Sequence, residues 1–178
     1  MTTARSLART ALFTALLCVL AAVTIPLGPV PITLQTLGVY AAGLFLPPAQ
    51  AALAALAYLL LGAAGLPVFA GFSGGIGVVA GPAGGFLFGF IPAAAVISRL
   101  SSASSSGLSS EKDPSLPIQI TALICGCVII HLAGLIQLTL VGGSGWRQAL
   151  AAGVLPFLPA EAAKAALALF LRHRIHRV

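Results

Sequence analysis

The chain has 178 residues, 59% of them apolar and 7% charged, with a mean hydropathy of +1.09. Soluble domains carry roughly 25% charged residues, and disordered chains are poor in apolar ones, so both classes are excluded. The net charge of +6 comes with no basic patch interleaved with aromatics, so no nucleic-acid partner is expected; this is the composition of an integral membrane protein.

A spanning helix needs about 20 mainly apolar residues for a hydrocarbon core of about 30 Å. Residues 10–98 contain no Asp, Glu, Lys, Arg or His, which leaves room for four spans and their turns. Span one is expected over 7–25, ending at Pro26, Pro29 and Pro31. Arg5, Arg9 and the apolar run after them have the outline of a secretory leader. Removal would upset the charge asymmetry set out below, so the segment is read as a retained helix. Span two covers 34–46 and stops at Pro47-Pro48; span three covers 49–64 and is closed by Gly65-Leu66-Pro67. The stretch 68–84 is too rich in glycine to be helical throughout. Span four covers 85–98, and residues 101–115 form a polar, serine-rich linker. Spans five and six cover 116–140 and 149–172. The expectation is an all-α membrane protein of six helices, a single membrane domain over 1–178.

With the N-terminus inside, Arg5, Arg9, Arg99, Lys112, Arg172, Arg174 and Arg177 are all cytoplasmic, leaving Arg147 outside and Lys164 within the bilayer. The reverse topology would strand those seven outside, against the positive-inside rule. Both termini are therefore placed in the cytoplasm, and the net positive charge is read as contact with anionic lipid.

On that topology two outward connections stand out. The first, 26–35, is stiffened by three prolines. The second, 65–85, offers glycines that permit close backbone approach, with Phe69, Phe72 and Phe86 as apolar faces and Ser73 as a hydroxyl. It reads either as an exposed turn with glycine packing between helices or as the lid and wall of a small-ligand pocket. Neither G-x-G-x-x-G nor G-x-x-x-x-G-K-[ST] occurs, so it is no nucleotide site.

The stronger signal is Glu161 and Lys164 in the last span. Insertion of a charged side chain at a helix centre costs about 2.5–3.5 kcal/mol, and the i, i+3 spacing puts the two on one face. They read as a self-neutralising pair, or as a site in which Lys164 meets a ligand carboxylate and Glu161 accepts a ligand N–H. Pro159 between helix start and pair is expected to free a carbonyl and bend the helix. His131 reads as a packed, hydrogen-bonded histidine, Gln137 as interhelical glue and Trp146 as part of the interfacial aromatic belt. Ala4, Ala8, Ala11 and Ala15 give small-xxx-small spacing for another helix, internal or from a separate subunit. Cys18, Cys125 and Cys127 are three in number and cannot all pair; a lone C-x-C lacks the ligand set of a zinc site. No metal and no cofactor are expected.

Three segments, Pro26-Leu-Gly-Pro-Val-Pro-Ile-Thr-Leu-Gln-Thr36, Gly65-Leu-Pro-Val-Phe-Ala70 with Gly81-Pro-Ala-Gly-Gly-Phe86, and Pro156-Phe-Leu-Pro-Ala-Glu-Ala-Ala-Lys164, resemble the BioY family. The likeness runs in order over nearly the whole chain. BioY proteins are the biotin-binding S components of energy-coupling-factor (ECF) transporters. The resemblance implies the six-helix S-component fold with an outward-facing biotin pocket in a prokaryotic cytoplasmic membrane. It maps the family's first-loop motif onto Thr33 and Gln35 and its buried charges onto Glu161 and Lys164. It matches Ala11 and Ala15 to the Ala-xxx-Ala pattern that meets the transmembrane coupling subunit. With the residues above, the expected substrate-binding set is Thr33, Gln35, Phe69, Phe72, Ser73, Phe86, Glu161 and Lys164. Three positions depart from the family's usual pattern: Glu161 stands where Asp is usual, and Ala83 and Phe86 replace Thr and Tyr, removing two hydroxyls.

Biotin fits the inventory of residues: one carboxylate, a ureido group with two N–H donors, and an apolar ring and chain. The chain has no phosphate loop to couple ATP, so the expected partners are a membrane coupling subunit and two ATP-binding cassette ATPases, with self-association open. A solitary biotin carrier working without ATPases is the alternative. An intramembrane enzyme with Glu161 as acid–base lacks a nucleophile set, and no enzymatic activity is expected.

Overall fold

The computed structural model describes residues 3–26, 30–103, 115–143 and 145–175. It is helical apart from one short hairpin. Helix α1 spans Thr3–Ala22 and buries Thr10, Thr14, Leu17 and Ala21, one stripe at the 3–4 spacing of a helix face. Its other face exposes Leu7, Leu12, Leu16 and Val19. Thr14 Oγ1 donates to the Thr10 carbonyl at 3.0 Å and lies 3.2 Å from the Ala54 carbonyl, so α1 is pinned to α3 by a polar contact as well as by packing.

Two-residue strands β1 (Thr24–Ile25) and β2 (Ile32–Thr33) pair antiparallel, Thr24 opposite Thr33. They deliver the chain into α2 (Gln35–Phe45), in which every residue from Gln35 to Leu44 is buried. A helix buried all round has neighbours on every side, and α2 is packed by α1, α3, α5 and α8. Helix α3 (Pro48–Ala63) begins with proline in its first turn, where the missing N–H costs nothing.

The glycine-rich stretch then carries a 3-10 turn (Ala70–Phe72) and the short helix α4 (Ile76–Ala80). Helix α5 (Gly84–Ala103) pairs with α6 (Leu116–Gly142) through small residues. A Cβ on Gly89 would come within 2.9 Å of the Ile130 backbone, an approach open only to glycine. The outer face of α6 presents Ile120, Ile124, Val128, Leu132 and Ile136, an aliphatic stripe suited to lipid. Helix α7 (Trp146–Gly153), a 3-10 turn (Leu155–Phe157) and α8 (Leu158–Ile175) complete the described chain. Four helical stretches are long and apolar enough to cross a membrane, and α3 is a shorter apolar helix.

The structure corrects the expected last span. The stretch 149–172 is not one helix; it breaks between Gly153 and Leu158. Pro156 lies in the 3-10 turn, and Pro159 falls in the first turn of α8, where no intrahelical N–H is required. The bend assigned to Pro159 thus lies upstream of it. Span four extends past its expected end at 98, so the linker start at 101 still lies in α5; residues 104–114 of that linker lie outside the described residues.

Candidate functional site

One stripe of α8, Glu161, Lys164, Ala168 and Arg172, is buried, and α8 packs on α2. Arg172 closes the far end of the seam by donating to the Leu44 carbonyl, one of the carbonyls that the end of α2 leaves unpaired. Ser98 Oγ does the same for Leu46 at 2.6 Å.

At the near end a closed polar cluster forms. The Glu161 carboxylate sits in the first turn of α8, where the helix dipole favours negative charge. Its Oε1 accepts from Thr36 Oγ1 at 2.9 Å and from Lys164 Nζ at 2.5 Å. Its Oε2 accepts from the Tyr40 hydroxyl at 2.6 Å. Lys164 Nζ also donates to Thr36 Oγ1 at 2.7 Å and to the Thr33 carbonyl at 2.8 Å. An ammonium has three N–H bonds, and all three are used. Glu161 and Lys164 are 5% and 6% exposed, so the ion pair is removed from water and its solvation is supplied by α2.

A second chain of bonds fixes the next layer. Thr33 Oγ1 lies 3.1 Å from Gln35 Oε1, Gln35 Nε2 donates to the Tyr58 hydroxyl at 2.5 Å, and Tyr58 donates to the Val68 carbonyl at 3.0 Å. The Tyr58 ring meets Phe69 edge-on at 5.4 Å and stacks on Phe90 at 6.4 Å. Gly62 makes room for Phe69, since a Cβ there would overlap the ring.

The opposing elements α5 and α6 contribute Phe86 and His131. The Phe86 ring occupies the space where a Cβ on Gly134 would lie and meets the His131 ring edge-on at 6.0 Å. His131 Nδ1 lies 2.9 Å from the Cys127 carbonyl. A carbonyl only accepts, so this contact assigns the proton to Nδ1.

The connections close over this end of the bundle. The Gly71 N–H donates to Thr24 Oγ1 at 3.3 Å, joining the glycine segment to the hairpin. Gln137 Nε2 donates to the Val79 and Gly81 carbonyls at 2.9 and 2.7 Å, so the expected interhelical glue binds α6 to the end of α4. Ser73 Oγ donates to the Ala70 carbonyl at 2.8 Å.

These elements enclose a cavity of about 280 Å³, close to the small end of the range for small-molecule pockets, roughly 300–1,000 Å³. The structure brings together Thr33, Gln35, Phe69, Ser73, Phe86, Glu161 and Lys164 along its walls, and Ala83 lines it too. Phe72 is the exception: it is 68% exposed, carries a φ of 58° beside Gly71 at 66°, and is not part of the lining. That left-handed turn carries its ring away from the wall that a regular strand would have given it. Thr36, Phe90, Ile130, His131 and Phe157 line the cavity without having been singled out for it; Tyr40 and Tyr58 act behind the wall. Ala4, Ala8, Ala11 and Ala15 form an exposed row on α1. A crevice of about 490 Å³ between α6 and α8 also reaches Glu161 and Tyr40, and is otherwise aliphatic apart from Cys127. Among the described residues, no three His, Cys, Asp or Glu side chains gather as metal ligands.

Comparison with known proteins gives the same answer by sequence and by shape. The model of the BioY family matches residues 1–178. The biotin transporter BioY of Thermotoga maritima is 38% identical over 174 residues, covering 98% of this chain and 97% of that protein. The probable biotin transporter BioY of Pyrococcus horikoshii is 38% identical over 172 residues, covering 97% and 96%. The crystal structure of the S-component for biotin from an ECF-type ABC transporter superimposes with a TM-score of 0.86 at 27% identity, over 100% of this chain and 95% of that one.

Proposed function

Because this chain belongs to the BioY family, we propose that it captures biotin as the substrate-binding subunit of an ECF transporter, with Glu161 at the centre of its pocket. It is a transport subunit and not an enzyme. The observation that carries this reading is the buried Tyr40–Thr36–Glu161–Lys164 cluster at the wall of a cavity sized for one small molecule.

The geometry changes the division of labour between the two charges. Lys164 has no N–H left for a ligand carboxylate, because Thr33, Thr36 and Glu161 hold all three. Its role is to hold the Glu161 carboxylate in place and aimed. Glu161 Oε2 has a single protein donor, Tyr40, and a carboxylate oxygen has room for a second. A ureido N–H of biotin fills that position. Burying the biotin carboxylate without a cation would be costly. With Lys164 committed, the carboxylate stays at the mouth, beside the glycine segment and Ser73. Thr33 and Gln35 shape the wall, and Phe69 and Phe86 cover the apolar ring and chain. Phe72, outside the lining, belongs to the rim.

The whole chain forms one multi-pass unit in the cytoplasmic membrane, six membrane segments with α7 and α8 counted together and both termini in the cytoplasm. The mouth then faces outward. Nanomolar capture corresponds to about −12 kcal/mol, and such a ligand leaves only if the protein is driven into a weaker-binding conformation. That drive comes from a membrane coupling subunit and two ATPase subunits. The exposed alanine row with Ala11 and Ala15 permits the close helix contact such docking needs.

The test is equilibrium binding of labelled biotin to the purified chain in detergent, with unlabelled lipoate, thiamine and riboflavin as competitors. Displacement by biotin alone is the expected result. Well-folded protein that binds no biotin, or that is emptied equally by lipoate, would contradict the reading. Uptake into vesicles with and without the coupling and ATPase subunits tests the energised arrangement: accumulation that needs no ATP would contradict it.

A further inference from the structure

Resting on the biotin reading, we infer that His131 is a specificity-determining residue whose Nε2 accepts the second ureido N–H of the ligand, opposite in role to Glu161, which accepts the first. His131 lies on α6 far in sequence from any Asp, Glu, Lys or Arg, with the Cys127 thiol 3.5 Å from its Nδ1, and it lines the same cavity as Glu161. Its ring is held in one orientation. The Nδ1 proton is given to the Cys127 carbonyl one helical turn earlier at 2.9 Å, and Phe86 packs edge-on against the ring at 6.0 Å. Phe86 is itself seated on Gly134, so neither ring is free to rotate without the other moving. In a neutral imidazole protonated at Nδ1, Nε2 is an acceptor and nothing else.

That assignment restricts what His131 reads. Biotin with its carboxylate ionised has only two donors, the ureido N–H groups, so Nε2 has no other polar partner on the ligand. The rest of the polar lining agrees. The hydroxyls of Thr33 and Ser73, one of the two Gln35 Nε2 N–H bonds and all three of Lys164 are directed at protein acceptors. Acceptor capacity remains at Glu161 Oε2 and at His131 Nε2. Two acceptors on two different helices suit a ligand with two donors on one rigid ring. Lipoate, which shares the apolar chain and carboxylate, has no N–H and would leave both acceptors bare, and a buried polar group without a partner is penalised.

The experiment measures equilibrium binding of biotin, and of biotin methylated on one or the other ureido nitrogen, to the full chain in detergent. The set comprises wild type, His131→Phe, His131→Gln and Glu161→Ala. Wild type is expected to lose affinity for both methylated forms. His131→Phe is expected to weaken biotin roughly 10- to 100-fold, yet to show no further loss for one methylated isomer. Glu161→Ala should show that indifference toward the other isomer. His131→Gln, which restores a side-chain carbonyl, should recover part of the affinity. The inference is overturned if His131→Phe binds biotin as wild type does, or if it weakens biotin and both methylated forms by one common factor, which is the signature of packing alone. Should His131→Phe fail to fold, wild type that tolerates methylation at either nitrogen overturns it without any variant. Wild type that binds no biotin defeats the functional reading, and this inference falls with it; wild type that binds biotin with the outcomes just named defeats the inference alone.

Discussion

The two walls of the cavity are built by different physics. The α2/α8 wall is a hydrogen-bond lattice: Thr33, Thr36, Tyr40, Glu161 and Lys164 exchange bonds with one another and leave little unsatisfied. The α5/α6 wall is a packing surface, in which Phe86 and Phe90 meet His131 and Tyr58, and glycines let the two backbones close up. Buried polar networks are high-stakes, because a single missing member leaves others unpaired in a low dielectric. Packed aromatic surfaces lose affinity and stability more gradually. On the proposed function, the first wall sets where a polar ligand group sits, and the second sets the shape of what fits beside it.

The largest effect is expected from Glu161→Ala. It strips an acceptor from Tyr40, Thr36 and Lys164 at once and leaves an ammonium buried. Breaking a buried pair in this way costs about 3–5 kcal/mol, read as a lowered midpoint of thermal unfolding in detergent, and biotin binding weakens with it. Next is Tyr40→Phe, which removes one hydrogen bond to a charged oxygen at a residue outside the lining of the smaller cavity. A loss of about 1.5–3 kcal/mol is expected, with biotin bound more weakly because Glu161 is less firmly held. On the packing wall, Gly134→Ala forces the Phe86 ring aside, and overpacking of this kind costs about 1–3 kcal/mol. Here the chain should still bind biotin, with faster dissociation in a chase experiment. Smallest is Phe72→Ala. Its ring is exposed, and surface changes of this type stay within about 0.5 kcal/mol; a large loss of biotin affinity in this variant would place the ring over the ligand after all.

The lattice wall was half legible in the sequence. Two charges three residues apart in an apolar span announce themselves, because nothing but a partner justifies their burial. Their partners do not. Thr36 and Tyr40 lie 125 and 121 residues away from Glu161, in a helix buried on all sides, where periodicity marks no face as special. Neither reading of Lys164, as a partner for Glu161 or for a ligand carboxylate, includes the Thr33 carbonyl, a backbone group that no sequence pattern displays. The packing wall was legible at Phe69 and Phe86, since aromatics beside glycines mark close approach. It was misleading at Phe72, where a positive φ reverses the side chain's direction. The break before α8 was hidden because the apolar run from Ala149 carries the expected span across Pro156 and Pro159, although both prolines sit where a helix start tolerates them.

On the proposed function Glu161 and Lys164 act as a unit, one receiving the ligand and the other holding the receiver. A double-mutant cycle on equilibrium biotin affinity tests it most directly, with wild type, Glu161→Ala, Lys164→Ala and both together. Groups that act through one another are not additive. Each single change should weaken biotin binding by about 100-fold or more, by loss of a charged hydrogen bond or of its alignment, and the double variant should be no worse than the weaker single. Losses that multiply would mean that each residue contacts biotin independently, and an unchanged affinity in either folded single variant would contradict the account outright.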